Sequence, residues 1–343
     1  DSADYGFNGS PRQLINPERL KTVFLQMLHE AHCEVLLYTF VCEPIMDSGR
    51  LSGVIIENKS GRQAIFAKII IDSTGDGDIA AKAGAAYVKG RETDGAMQPA
   101  SLMFKIGGVD YSRAVFPGKF EDYIQIPKGE IQALGKSHLP FPAGHVLLYR
   151  STLPGVVTCN MTNCTGIDGT NAADLSRAVL VCRNQLQPIL DFLHEFVPGY
   201  ENCYLLETAS LIGVRETRHF KGLETITEED IRSSRVFPDW AVTHASFNFD
   251  VHNMTGNGLD ATGAQDAFTA TSYTIPYGCL VPEKIDGLLL AGRNISGTHM
   301  AHANYRVMPI CANMGQAAGI AAALCCKEDI QPRDVKVPEL QKL

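Results

Sequence analysis

The chain has 343 residues, enough for about two domains. Hydrophobic residues make up 45% and charged residues 20%, the balance of a globular protein with a buried core. A net charge of −8 without a basic stripe argues against nucleic acid as a partner.

Asn16 is placed to cap a helix whose first residue is Pro17, and Leu20, Val23, Phe24, Met27, Leu28 and Ala31 line one face of it. Glu34 to Phe40 reads as a strand, followed by Val41. Val54 to Glu57 and Gln63 to Ile71 read as the arms of a hairpin around Asn58-Lys59-Ser60-Gly61. Lys68 to Asp72 is a β-branched run typical of a strand buried on both faces. Ser73-Thr74-Gly75-Asp76-Gly77 is turn chemistry, and Asp78 is predicted to cap a short helix, Ile79 to Ala83, that ends at Gly84.

The pattern changes near Gln98. Ser101 to Ile106 alternates like a strand before the Gly107-Gly108 turn, and residues 110–170 are rich in Gly, Pro and Thr. Asp174 is predicted to cap one long helix reaching Phe196, stopped by Pro198-Gly199. Cys203 to Ile212 reads as a strand, and Thr227-Glu228-Glu229-Asp230 as a capping box. Tyr273 to Gly278 leads to the most informative segment. There an apolar strand, Gly287 to Leu290, meets the turn Ala291-Gly292-Arg293. A polar stretch with His299 and His302 follows, and then a small-residue helix over Met308 to Leu324, with Pro309 in its first turn. Strand, glycine turn and helix N-terminus together make a seat for a flat, electron-rich or anionic ligand.

Three groups of residues carry candidate chemistry. Gly75 to Ala80 fits G-x-G-x-x-A between a strand and a helix, the pattern of a dinucleotide loop. Against this, Asp76 and Asp78 would face a dianionic pyrophosphate, and a Gly-Asp turn closing a strand explains the same letters. Arg215 and Arg218 follow an apolar strand and are placed either to grip a carboxylate bidentately or to pin two domains together. His299 and His302 could serve as general acid and base, or as packing residues. A metal would need a third ligand that the local sequence does not supply, so no metal is expected. His244 and His252 have no supporting context. The ten cysteines are scattered, without zinc spacing or a C-x-x-C pair, which predicts reduced thiols of a cytoplasmic enzyme. Residues 310–326 fall short of the ~20 needed to cross a bilayer and include Asn313 and Gln316, so no membrane is expected. Nothing here fixes an oligomeric state.

Segments 68–84 and 287–325 resemble the FAD-dependent oxidoreductase family of the glutathione-reductase-like superfamily. The resemblance implies an α/β fold: an incomplete FAD/NAD(P)-binding Rossmann-like domain, a parallel sheet with a β-meander, from residues 1–96 and 273–343. It also implies an inserted α+β substrate or cap domain at 97–272. The implied cofactor is FAD, with Val41 at the adenine and Thr74, Gly75 and Asp76 closing over it. Gly292, Arg293 and Asn294 would pass the flavin, and Gly315 and Gln316 would lie on the helix facing its pyrimidine edge. Relatives in the wider superfamily carry Gly-Asp at the late turn, so Arg293 and Asn294 imply a contact of different polarity. The family's phosphate-binding glycine loop lies near its N-terminus, and this chain has no uncharged copy of it. The expectation is therefore a chain lacking the first β-α-β unit that holds FAD poorly. The expected reaction is hydride transfer between FAD and a small organic substrate, carboxylate-bearing if the arginines bind it. The alternatives are an NAD(P)-dependent dehydrogenase using Gly75 to Ala80, or a non-catalytic fragment.

Overall fold

The computed structural model describes residues 4–7, 10–120, 122–260 and 271–343. The expected cofactor and cap segments thus each include a few positions outside the described residues, among them 261–270.

A short hairpin, β1 (Asp4–Phe7) with β2 (Ser10–Gln13), precedes helix α1 (Pro17–Glu30). As expected, Asn16 caps α1, its Oδ1 accepting from the backbone N–H groups of Glu18 and Arg19 at 3.1 and 3.2 Å. The apolar face of α1 is uncovered: none of its residues is buried, and Phe24 and Met27 are 55% and 58% exposed. The strand expected over Glu34 to Phe40 is a correction. Residues 34–39 join no ladder among the described residues, and strand β3 begins at Phe40 and runs to Asp47. An apolar run satisfies only the side chains of a strand; its backbone groups need a neighbouring strand.

Strand β3 pairs antiparallel with β4 (Arg50–Asn58), and β4 with β5 (Gly61–Phe66), giving the expected meander. The second hairpin arm is split, because β6 (Ile70–Asp72) leaves the meander to pair in parallel with Leu288–Leu290. Helix α2 (Asp78–Lys82) follows, and then β7 (Tyr87–Lys89). In the middle of the chain come β8 (Phe104–Gly107), β9 (Gln125–Ile126), β10 (Gly129–Glu130), α3 (Ile131–His138), β11 (Leu148–Arg150) and β12 (Val157–Cys159). Next are α4 (Ala172–Asn184), α5 (Leu186–Phe196) and β13 (Tyr204–Thr208). An antiparallel sheet in the order β11-β12-β8-β13 forms here, and Ile189 and Leu193 of α5 share a core with Phe104 and Ile106 of β8.

The sequence misplaced four boundaries in this region, and the strand expected from Cys203 to Ile212 covers only Tyr204–Thr208. The strand expected from Ser101 starts at Phe104. Asn171, not Asp174, caps α4, accepting from the N–H groups of Ala173 and Asp174 at 2.9 and 3.3 Å. The single long helix is two, because Pro188 has no N–H to donate back across the junction. At that junction Gln185 turns inward and bonds both backbone groups of Asn163 at 2.8 Å.

The later elements are β14 (Arg218–Phe220), which pairs with β7, then α6 (Glu228–Arg232), β15 (Trp240–Ala245), β16 (Tyr273–Pro276), β17 (Leu288–Leu290), α7 (His299–Tyr305), α8 (Met308–Glu328) and α9 (Val337–Leu340), with short 3-10 turns at Tyr277–Leu280 and Pro332–Asp334. The capping box predicted at Thr227 is present, with Asp230 as its partner. The polar stretch bearing His299 and His302 is the short helix α7, capped by Thr298. The expected cap segment feeds two large cores and two smaller clusters. Phe104, Ile131, Leu148, Ile189 and Cys203 belong to one large core, whereas Phe220, Ile231 and Val242 join Leu51, Leu289, Met314 and Ala318 in the other. Helix α8 lies on β6, β15 and β17. It is the one helix among the described residues long and apolar enough to cross a membrane, a test that core helices of soluble proteins also pass. Ala317, Ala318 and Ala321 are buried in it.

Gly77 shows why a glycine follows Asp76. Its φ is +64°, and a Cβ there would sit 2.1 Å from the Phe220 ring. Gly77→Ala is expected to lower stability by about 2 kcal/mol or more, read as a fall in the urea midpoint at constant slope.

Candidate active site: two parallel strand ends and a buried histidine cluster

The parallel pair β6–β17 brings two distant turns together, with Leu290 opposite Asp72. Asp72 is buried and its carboxylate organises the first turn. It accepts from Thr74 N and Oγ1 at 3.0 and 2.7 Å, and from the N–H groups of Ile79 and Ala80 at 3.0 and 2.8 Å. The expected cap, Asp78, is therefore corrected to Asp72. Asp78 is instead the first residue of α2 and pairs with Arg218 at 2.9 Å.

The two turns are stitched directly. Arg293 Nη2 reaches Asp76 Oδ1 at 3.1 Å, Thr217 Oγ1 donates to the same carboxylate oxygen at 2.7 Å, and Asn294 Nδ2 donates to Asp72 O at 3.0 Å. Gly75 is needed here because a Cβ would lie 2.6 Å from the Arg293 guanidinium. This arrangement removes the dinucleotide reading of Gly75 to Ala80. The two acidic side chains are paired with arginines, and the N–H groups that would cradle a phosphate already bond Asp72.

The glycines expected to line a seat around β17 and α8 are uncrowded. Gly292, with φ +109°, Gly315 and Gly319 all have no atom within 4 Å of the position a Cβ would take. The N-cap residue of α8, Val307, makes no side-chain cap bond, and Pro309 occupies the first turn. Asn294 Oδ1 is buried without a hydrogen-bond partner. A planar ligand with a carbonyl edge and a hydrogen-bond donor fits these features. Gln316 instead faces a shallow groove with Trp240 and Asn313. Val41 lies half-buried on β3 opposite Ile56.

Immediately beyond the Gly292 turn lies a buried polar cluster. His299 Nδ1 is 2.6 Å and His219 Nε2 2.8 Å from the same oxygen, Glu216 Oε1, while Glu216 Oε2 accepts from Gln98 N at 3.1 Å. Burial pushes the Glu216 carboxyl up, but the bonds from His219 and His299 outweigh it and hold it well below the usual range. His302 meets the His219 ring edge to face, with centroids 4.7 Å apart. Burial keeps the His302 imidazole neutral, far below its ordinary pKa.

A second cluster adjoins the first. Arg306 donates to Asp250 Oδ2 at 2.8 Å, and His252 Nε2 is 3.3 Å from the same oxygen. The Phe120 ring stands edge-on between His145 and His252, at 4.9 and 5.1 Å. Burial and the nearby Arg215 charge bring the His252 pKa down to about 4, and burial and His252 bring that of His145 to about 3. Arg215 itself is buried and donates to Pro99 O at 2.5 Å. It forms no ion pair among the described residues. Burial and Arg306 lower its pKa to about 10, so it stays charged at neutral pH. Arg218 is committed elsewhere, to Asp76 O, Asp78 and the Tyr87 ring. These contacts tie Arg218 to the turn after β6 and to the start of α2.

The structure thus gathers Thr74, Gly75, Asp76, Arg215, Gly292, Arg293, Asn294, His299 and His302 in one region. Sequence reasoning missed Asp72, Glu216, His219, Asp250, His252 and Arg306. Only Glu216 and His219 had a local signal, the charge-dense run after an apolar strand.

A family model described as FAD dependent oxidoreductase matches residues 2–343, and the chain belongs to that family. By description, that is a family of oxidoreductases that depend on FAD. No curated protein matches it. Among solved structures, it is similar to a geranylgeranyl bacteriochlorophyll reductase-like protein from Thermoplasma acidophilum, with 10% identity and TM-score 0.49 over 98% of this chain and 61% of that one. It is also similar to p-nitrophenol 4-monooxygenase PnpA from Pseudomonas putida, with 10% identity and TM-score 0.43 over 93% and 56%. A third is L-proline dehydrogenase from P. horikoshii, with 14% identity and TM-score 0.37 over 96% and 59%. The chain spans less than two thirds of each of these structures.

Proposed function

We propose that the protein transfers hydride between FAD and a small organic substrate bearing a carboxylate. The observation that carries this is Arg215: a buried, charged guanidinium with no carboxylate at ion-pair distance among the described residues, feeling only the longer-range charge of Asp250, beside a histidine cluster at the foot of the glycine turn. Asp250 is already shared with Arg306 and His252, which leaves the buried Arg215 charge under-compensated, and an anionic substrate group is a natural counter-charge.

Bound FAD supplies the two-electron chemistry; the chain supplies position, charge and proton. Gly292, Asn294, Gly315 and the N-terminus of α8 would receive the ring system. His299 is the base we favour. Its Nδ1 faces an ionised Glu216, which fixes the proton on that nitrogen and leaves Nε2 to take a proton from the substrate. Glu216 then stabilises the imidazolium that forms, as the orienting carboxylate does in other His-based sites. His219 shares that carboxylate and keeps it aimed.

The test uses FAD-loaded protein, an artificial dye as electron acceptor, and a panel of small carboxylic acids alongside their neutral esters. Acids but not the matching esters should reduce the dye. His299→Gln should cut turnover about 10²- to 10⁴-fold with the flavin absorbance unchanged. Equal rates for acids and esters would remove the role of Arg215, and turnover by His299→Gln within a few-fold of wild type would remove that of His299.

The open glycines offer a second check. Gly315→Ala places a methyl group where nothing lies within 4 Å, in a helix interior, so stability should hold or rise by about 0.5–1 kcal/mol. FAD binding measured by flavin fluorescence should nonetheless weaken. Unchanged FAD affinity would show that this face of α8 does not meet the cofactor.

A further inference from the structure

We propose that Glu216, His219 and His302 form a binding site for a divalent cation of the zinc class. Each residue offers one ligand atom, and these atoms all lie within 4.8 Å of one another. All three side chains are buried, at 1%, 2% and 1% exposure. Zinc bonds of about 2.0–2.2 Å set tetrahedral ligand atoms about 3.4 Å apart, so only small side-chain adjustments are needed to close around an ion. The donor set is two imidazoles and one carboxylate. That suits zinc or another borderline first-row ion and disfavours calcium and magnesium, which take oxygen ligands.

A second observation points to a ligand. The Nδ1 atoms of His219 and His302 are both buried and neither has a hydrogen-bond partner. Buried imidazole nitrogens are ordinarily satisfied, and here each of two rings in edge contact keeps one nitrogen without a partner. Outer contacts that would steady the carboxylate are already present: Glu216 Oε1 faces His299 Nδ1 at 2.6 Å, and Oε2 accepts from Gln98 N at 3.1 Å. The ion would cross-link β14, through His219 and the adjoining Glu216, to α7, through His302. The sequence could not show this, because the third ligand sits on an element far away in the chain.

This inference does not rest on the flavin reading, and its test uses protein without FAD. The purified protein is stripped with a chelator, loaded with Zn²⁺, desalted and assayed for retained metal; Co²⁺ serves as the spectroscopic probe. The expected result is one equivalent of Zn²⁺ per chain and visible d–d absorption of four-coordinate Co²⁺. His219→Gln and His302→Gln should each weaken binding at least about tenfold, while melting like the wild type in the absence of metal. His244→Gln, on an exposed residue outside the cluster, should bind as the wild type does. Retention below a tenth of an equivalent by the wild type overturns the site, as does unchanged affinity in both variants. Should the variants unfold, the Co²⁺ spectrum of the wild type decides alone. Near-ultraviolet charge transfer from thiolate would assign the ion to cysteines and overturn the proposal, and its absence with intact d–d bands would sustain it.

Discussion

Asp72→Ala should lower unfolding stability by about 3 kcal/mol, the largest effect expected of any single substitution near the site. One buried carboxylate serves four donors: two at Thr74 and two at the start of α2. Bonds to a charged acceptor contribute about 1.5–3 kcal/mol each, although they are not additive, and alanine leaves the donors of Ile79 and Ala80 buried and unmet. Loss of an N-cap alone costs about 1 kcal/mol. The damage should reach the site, because Asp72 also fixes the turn that carries Asp76, the partner of Arg293. A urea titration of Asp72→Ala beside Asp78→Ala separates the two possible caps. Asp78 is half-exposed and forms a single ion pair, so its loss should cost under about 1 kcal/mol. Equal losses in both variants would contradict the assignment of the cap.

The second large effect is acid lability well above the usual carboxylate range. His252 and His145 are buried as neutral rings, with pKa values of about 4 and about 3 against an ordinary 6.5. The unfolded chain takes up protons at these positions as pH falls through 6.5, while the folded chain does not. The stabilisation is therefore complete above about pH 6.5 and is lost progressively down to about pH 4. For His252 alone the loss is on the order of 3 kcal/mol. Asp250 and Glu216 are held well below their ordinary values in the fold, so their contribution also falls with pH, but only below the ordinary carboxylate range. Urea midpoints at pH 7, 5.5 and 4.5 should drop steadily, and His252→Gln should flatten the slope between the first two. A profile that stays level down to pH 5 would mean that these rings are protonated in the folded protein.

Elements that close on themselves were legible in the sequence. Asn16 with Pro17, the Thr227–Asp230 capping box and the 58–61 turn need only their own neighbours. Each was located to within a residue, because capping and turn geometry are set by backbone groups a few positions away. The expectations that failed concern partners. Glu34 to Phe40 has the apolar character of a strand, but a strand exists only beside another. Asp78 stands where a cap belongs, yet Asp72 reaches the same N–H groups from the end of β6. Pro188 was visible throughout, and its effect was overlooked because the apolar pattern continues across it.

The same division holds for the site. Sequence alone determined the glycine turn at Gly292, the small-residue helix after Pro309 and the family to which they belong, since each is a local pattern with a local physical meaning. Tertiary structure alone decided which charges meet. It paired Arg293 with Asp76, set His219 and His299 on one oxygen of Glu216, placed Asp250 between Arg306 and His252, and left Arg215 charged with no direct ion pair among the described residues. These contacts join residues far apart in the chain, and the energy of a buried charge depends on what surrounds it in space. No reading of neighbours along the chain can supply that.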